Sequence, residues 1–230
     1  MGYGGSLSQF PPFYNVVNMK VALIQLSDIH FSGNRDLICS RQEAFCRSCK
    51  YLINECSKVI FVISGDIASY GTEDQYNIAY LWLKECENFW KKESIILQSF
   101  DYVVVPGNHD CVFSDSNPIR DLVIKEILKK DITSEGKYID QSLDVQKPFW
   151  NFYKKLTGSE ISPAVSWQVN ISIKLDLNLC FHCYNTALLS QLHEEPGKLM
   201  IPENYFLDAK ETANQVIVSV FHHNTGWLTT

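Results

Sequence analysis

Four short apolar runs, Val21 to Leu26, Val59 to Ser64, Tyr102 to Val105 and Val216 to Phe221, restrict the fold more than any other feature of the sequence. They are rich in Val and Ile and break off abruptly at polar residues, the pattern of buried strands. Between the first two lies a helix-like stretch, Arg41 to Ser57, in which Phe45, Cys49, Leu52, Ile53 and Cys56 follow helical spacing and are expected to face the core. Between the second and third lies Thr72 to Lys92, with Thr72 as the expected N-cap and Ile78, Leu81, Trp82 and Phe89 on one side. Strand and helix in alternation imply parallel neighbours, right-handed crossovers and C-terminal ends that share one edge. A further helix is expected over Pro118 to Lys130. Two β-like runs, Ala164 to Leu175 and Leu177 to Tyr184, read as the second sheet of a layered sandwich.

With 230 residues, 46% of them hydrophobic, the chain can fill the core of one α/β domain. Residues 1–18, rich in Gly, Ser and Pro, read as a flexible extension, and Met19 reads like a natural beginning, so the domain is expected over 19–230. No stretch nears the roughly 20 apolar residues of a membrane span. The N-terminus also lacks the charged start and apolar block of a signal peptide, which places the chain in the cytoplasm with no membrane partner. A net charge of −6 argues against a broad basic grip on nucleic acid. A nucleic-acid substrate held mainly through metal ions stays open.

Eight cysteines include CRSC at Cys46 to Cys49 and CFHC at Cys180 to Cys183, which on paper are two halves of a zinc site. The first pair falls in the helix-like stretch and the second in a β-like run, where positions three apart point to opposite faces. Reduced, mostly buried thiols fit better, and a cysteine-bound zinc module ranks last among the functional readings.

After each of the four strands comes a polar cluster: SDIH at Ser27 to His30, GD at Gly65 and Asp66, GNHD at Gly107 to Asp110, and HHN at His222 to Asn224. Asp, His and Asn bind divalent ions through oxygen and imidazole nitrogen. In open α/β sheets, ligands bind at the carboxyl ends of strands, so the clusters are expected at the mouth of one sheet. Glycine lets the backbone turn sharply so that the next side chain projects into the crevice. Taken singly, D-x-H and Gly-Asp are ordinary turn material, and His222 and His223 could be one core and one surface histidine. Four such clusters at four strand ends are hard to assemble by accident.

In this order and at these intervals, the four clusters resemble the calcineurin-like metallophosphoesterase family, with GNHD the most diagnostic. The resemblance spans nearly all of residues 19 to 230. It implies a four-layer αββα sandwich of two mixed sheets, with two divalent ions (Mn, Fe or Zn) at the strand ends. It implies that Asp28 and His30 bind the first metal, Asp66 bridges both, and Asn108 and His222 bind the second, with His223 as the alternative to His222. His109 resembles the family's general acid and Asp110 its orienting partner. Asn185, in YNTA, resembles a recurrent family turn without a catalytic role. The chemistry suits these residue types. Two ions roughly 3.5 to 4 Å apart need an anionic bridge, and together they generate hydroxide near neutral pH and neutralise the phosphoryl oxygens during in-line attack. An imidazole ordinarily titrates in the right range to protonate the leaving alkoxide.

The implied function is hydrolysis of a phosphodiester or phosphomonoester by a metal-bridging hydroxide, on a substrate such as a nucleotide or nucleic acid. One departure is plain: the family's closing G-H-x-H is absent from the sequence. The chain is therefore expected to be the N-terminal part of a longer protein. HHNTGWL, from His222, loosely resembles phosphoesterase domains fused to larger NTPases, which points to a downstream NTPase or signalling module. The competing reading is a regulatory or interaction domain that retains the scaffold and has lost catalysis.

Overall fold

A computed structural model describes residues 19–113, 118–129, 136–174, 177–210 and 214–229. The expected extension at residues 1–18, and the expected element ends at Lys130 and Leu175, lie outside the described residues. Strands β1 (Val21–Leu26), β2 (Lys58–Ser64) and β3 (Ser99–Val105) form the first sheet in that order, all parallel, with Leu23 opposite Ile60 and Ile63 opposite Val104. β2 is buried from Val59 through Ile63, as a parallel strand covered on both faces must be. Each such side chain contributes about 1.5–3 kcal/mol through burial.

The crossovers are short α1 (Leu37–Ser40) with α2 (Gln42–Ile53), and the long α3 (Glu73–Glu93). They pack together: the Trp90 indole N–H donates to the Cys46 carbonyl at 2.9 Å, and the Trp90 ring stacks on Phe61 of β2 at 5.8 Å. At the start of α3 the Gln75 side chain accepts from the Thr72 N–H at 3.4 Å, closing the capping box with the expected N-cap. Two expected core positions are corrected. Leu52 is 66% exposed and Leu81 59% exposed, because the buried stripe of α2 is centred on Cys46 and Ile53 and that of α3 on Tyr76, Ala79, Leu83, Cys86 and Trp90. Cys56 is buried, but just beyond the end of α2.

After α4 (Pro118–Leu128), α5 (Gly136–Leu143) and α6 (Lys147–Thr157), strands β4 (Ser166–Lys174), β5 (Leu177–Tyr184) and β6 (Gln215–Val220) form a mixed sheet in the order β4-β5-β6. β4 and β5 are antiparallel, and β5 and β6 are parallel. The two sheets share one apolar core that joins Phe61 and Val103 to Trp167, Phe181 and Val220, with Phe149 and Tyr153 of α6 packed in. Helices and two sheets thus make the α/β sandwich. A smaller core under α4 and α5 gathers Ile127, Leu143, Leu188 and Leu199. The expectation of four polar clusters at one sheet is corrected here: β6 pairs with β5, so the fourth cluster arrives from the second sheet. No helix among the described residues is long and apolar enough to cross a membrane.

Glu87 fastens α3 to β3. Its carboxylate, 6% exposed as a residue, accepts from Lys84 Nζ at 2.7 Å, from Lys91 Nζ at 3.2 Å and from the Tyr102 hydroxyl. Burial pushes this carboxyl up, but the Lys84, Tyr102 and Lys91 donors outweigh it and hold it below its ordinary 4.5. A carboxyl depressed on folding stabilises the fold above its unfolded value, and that contribution disappears as pH falls through the folded one. Glu87→Gln is therefore expected to lower the unfolding free energy at pH 7 by about 1–3 kcal/mol. In urea titrations the deficit should shrink as pH is taken below the carboxylate range; a deficit of constant size across pH would rule out charge as its source.

Candidate metal centre

The ends of β1 and β2 enter turns that carry three non-glycine residues in the left-handed region, Asp28, His30 and Asp66, at φ of 54, 55 and 53°. Residues held there cost about 1–3 kcal/mol each and persist only where surrounding structure over-determines them. Backbone hydrogen bonds do so here: Asp28 N to Gly65 O at 3.2 Å, His30 N to Asp66 O at 3.0 Å and Phe31 N to Ile67 O at 2.8 Å. The two turns are laced together, and their side chains face a common point.

That point is the Asp66 carboxylate, almost wholly buried. Its Oδ1 accepts the His109 N–H at 2.9 Å, while Oδ2 lies 3.6 Å from His30 Nε2 and 3.5 Å from His222 Nε2. The latter separations are long for direct hydrogen bonds and suited to donors arranged around a cation. Two groups among the described residues could each hold an ion, His30–Asp66–His109 and Asp28–Asp66–His222, with the ligand atoms in each within 4.8 Å of one another. Asp66 belongs to both. The grouping cuts across the motif-based partition, since Asp28 falls with His222 and His30 with His109.

His222 completes the surroundings of the Asp66 carboxylate. Its Nδ1 faces the Ser64 carbonyl at 2.9 Å, so that nitrogen carries hydrogen and Nε2 is left facing Asp66. Burial pulls the imidazole down, but the neighbouring Asp66 carboxylate prevails, and its pKa rises to about 9. Asp66 responds in kind: burial pushes its carboxyl up, but His222 and the His109 N–H hold it below the ordinary range. The donor set of carboxylates and imidazoles fits a divalent ion.

Two glycines make the approach feasible, for different reasons. Gly65 has φ of 89°, the turn expected from sequence, and a Cβ there would sit 2.5 Å from His222 Nδ1. Gly107 is extended, at φ −107°, and its lack of a side chain serves contact instead: a Cβ would lie 2.2 Å from Asp66 Oδ1 and 2.6 Å from the Asp66 nitrogen. Asn108 follows, half-buried, on the single turn Asn108–Asp110. It stands between the glycine that touches Asp66 and the histidine whose N–H binds it.

The expected pairing of His109 with Asp110 is corrected. The exposed His109 ring places Nδ1 2.9 Å from the Ser69 carbonyl. Asp110, fully buried, faces the other way: it accepts from the N–H groups of Ile67 (3.1 Å), Ala68 (3.0 Å) and Gly107 (2.9 Å) and from the Tyr76 hydroxyl at 2.9 Å. Burial pushes its carboxyl above the ordinary range, although these donors pull the other way. Asp110 thus staples the loops after β2 and β3, and a backbone carbonyl orients His109. Sequence reasoning could not find Ser69, because a carbonyl donates no residue-specific signal.

His223 also turns away. Its N–H and Nδ1 meet Thr186 Oγ1 at 3.1 and 3.0 Å, and its Nε2 lies 3.3 Å from Glu194 in the interior. Asn185 is wholly buried and exchanges amide hydrogen bonds with Gln146 at 2.7 and 3.2 Å. The eight cysteines are free thiols and none enters the two ion-holding groups. A cavity of about 450 Å³ beside Glu87 and Tyr102, near the start of β3, contains none of these residues; the metal centre is instead an open cradle with Asp28 and His109 on its exposed side.

Residues 21–225 match the sequence profile of a family described as calcineurin-like phosphoesterase. The chain is also 28% identical over 222 residues, 90% of its length, to the metallophosphoesterase-like protein YydB of Bacillus subtilis (strain 168). It spans 43% of that relative's length.

The glycine contacts yield a direct expectation. Gly107→Ala should weaken the binding of a divalent ion by about 10- to 100-fold, the range for displacing a group that supports a ligand. Gly33→Ala, where nothing lies within 4 Å of the added carbon, should leave it unchanged. Calorimetric titration of both variants decides, and equal affinity in the two would disconnect the Gly107 contact from the metal.

Proposed function

The chain belongs to the calcineurin-like phosphoesterase family, and from that premise we propose that it hydrolyses phosphate esters at the cluster centred on Asp66. The observation that carries the reading is one carboxylate shared by two ion-holding groups at the strand ends. Asp28, His30, Asp66, Asn108 and His222 would hold a pair of divalent ions, manganese being the first to test. Such a pair supplies acidity to a water and neutralises phosphoryl charge.

The chain's own residues account for the rest. Asp66 is kept in one orientation by the His109 N–H on Oδ1, with the imidazoles of His30 and His222 beyond Oδ2. His109 contacts the Ser69 carbonyl through Nδ1, so Nε2 is the nitrogen that gives a proton to the departing alkoxide. Asp110 acts as a positioning residue by tying Gly107, Ile67 and Ala68 together under the cradle. Phosphodiesters and phosphomonoesters both remain substrates under this proposal. We place the domain within a longer protein, a setting that the greater length of the Bacillus relative supports, and propose that a downstream NTPase or signalling module occupies the added length. The second reading, a scaffold that binds without turnover, is favoured by the sequence holding no G-H-x-H.

Hydrolysis of bis(p-nitrophenyl) phosphate with added manganese separates the two readings. Turnover that is lost on chelation and restored by manganese is expected from this chain or from a version extended by its natural downstream sequence; no turnover in either supports the second reading. His109→Ala should lower the rate by about 10²- to 10⁴-fold with metal stoichiometry intact. Loss of metal from that variant would make His109 a ligand rather than the acid.

A further inference from the structure

We propose that Tyr70 is a stacking platform at the mouth of the metal centre, selecting phosphate esters that carry a flat aromatic group such as a nucleobase. The inference rests on the phosphoesterase reading and names a substrate class for it. Tyr70 is 71% exposed, and among the described residues its ring and hydroxyl have no partner. Exposure alone would mean little, since Tyr51 on α2 is 77% exposed without any tie to the site.

The difference lies in how the backbone around Tyr70 is held. On one side, Ser69 contacts His109 Nδ1 through its carbonyl at 2.9 Å, donates its hydroxyl to the His30 carbonyl at 2.8 Å and donates its N–H to Phe31 O at 3.0 Å. Tyr70 itself donates its N–H to Gln75 Oε1 at 2.9 Å, and Gln75 is buried at the head of α3. On the other side, Gly71 has φ of 62° and lies so close to Asp110 and Cys111 that a Cβ would meet their backbone at 3.0 Å. Three consecutive residues are thus clamped to both halves of the metal cradle, yet the side chain in the middle stands free.

That arrangement suits stacking. A ring on a fixed backbone has only two torsions to lose on binding, so little ordering entropy opposes contact. The metal cradle can recognise the phosphoryl group common to all candidate esters, and its exposed members, Asp28 and His109, are polar groups assigned to metal and proton rather than to the alcohol. Tyr70 follows directly on the carbonyl that orients His109, so its backbone is fixed next to the proposed acid. A flat leaving group laid on that ring would gain affinity where the reaction needs it held.

The test compares phenylphosphonate with methylphosphonate, which share a headgroup and resist hydrolysis, by calorimetry on the manganese-loaded protein. The unaltered protein should bind the phenyl compound about tenfold more tightly, the low end for a ring stacked on an aromatic side chain. Tyr70→Phe should retain that preference and Tyr70→Ala abolish it, with manganese stoichiometry unchanged in both. Absence of a preference in the unaltered protein, or its survival in Tyr70→Ala, would overturn the proposal. The two readings fail separately: a Tyr70-dependent preference without hydrolysis of any ester sinks turnover alone, and hydrolysis without the preference sinks the platform alone.

Discussion

One buried carboxylate organises this molecule. Asp66 sits among His30, His109 and His222, and no part of its surroundings is independent of the others. A carboxylate in the interior without compensation would either take up a proton or destabilise the fold. Here the imidazole of His222 and the N–H of His109 keep it ionised. Bringing those groups within reach forces backbone on backbone, which is why residues 65 and 107 must lack a side chain and why Asp28, His30 and Asp66 themselves occupy the left-handed region.

Such strain has to be held by something rigid, and the first sheet serves. β2 is buried along five consecutive residues and flanked on both sides by parallel partners, so its end cannot drift. Asp110 extends that rigidity into the loops. Its buried carboxyl accepts from three backbone N–H groups and the Tyr76 hydroxyl, fixing Gly107 relative to Ile67 and Ala68. A group that looks catalytic in sequence therefore works as a fastener, and the segment it fastens carries the His109 imidazole.

How much of this was legible beforehand follows from the kind of signal each feature leaves. The strands were legible, because Val- and Ile-rich runs end where the sheet ends; Leu177 to Tyr184 agrees residue for residue with β5. The polar clusters were legible because four of them recur after strands. Leu52 and Leu81 were misread since helical spacing says which residues share a face but not which of two neighbouring faces meets the sheet. The sheet to which β6 belongs is set by pairing with β5 over a long intervening segment, and the run Val216 to Phe221 holds no trace of it. The orienting partner of His109 was unreadable for a different reason: it is a carbonyl, the same in every residue, whereas the carboxylate next door offered a misleading alternative.

The origin of β6 changes how stability and site chemistry are connected. Asp28, His30, Asp66 and His109 all hang from the first sheet, but His222 comes from the second, and its imidazole closes the cluster only while the two sheets stay packed through Val103, Phe181 and Val220. An ion bridging Asp66 and His222 would therefore link the sheets as well as the loops. Because a ligand that binds only the assembled state stabilises it by mass action, metal binding there and the packing of one sheet on the other would be a single equilibrium seen from two ends. The core beneath the cradle would thereby set how tightly the cradle could hold an ion.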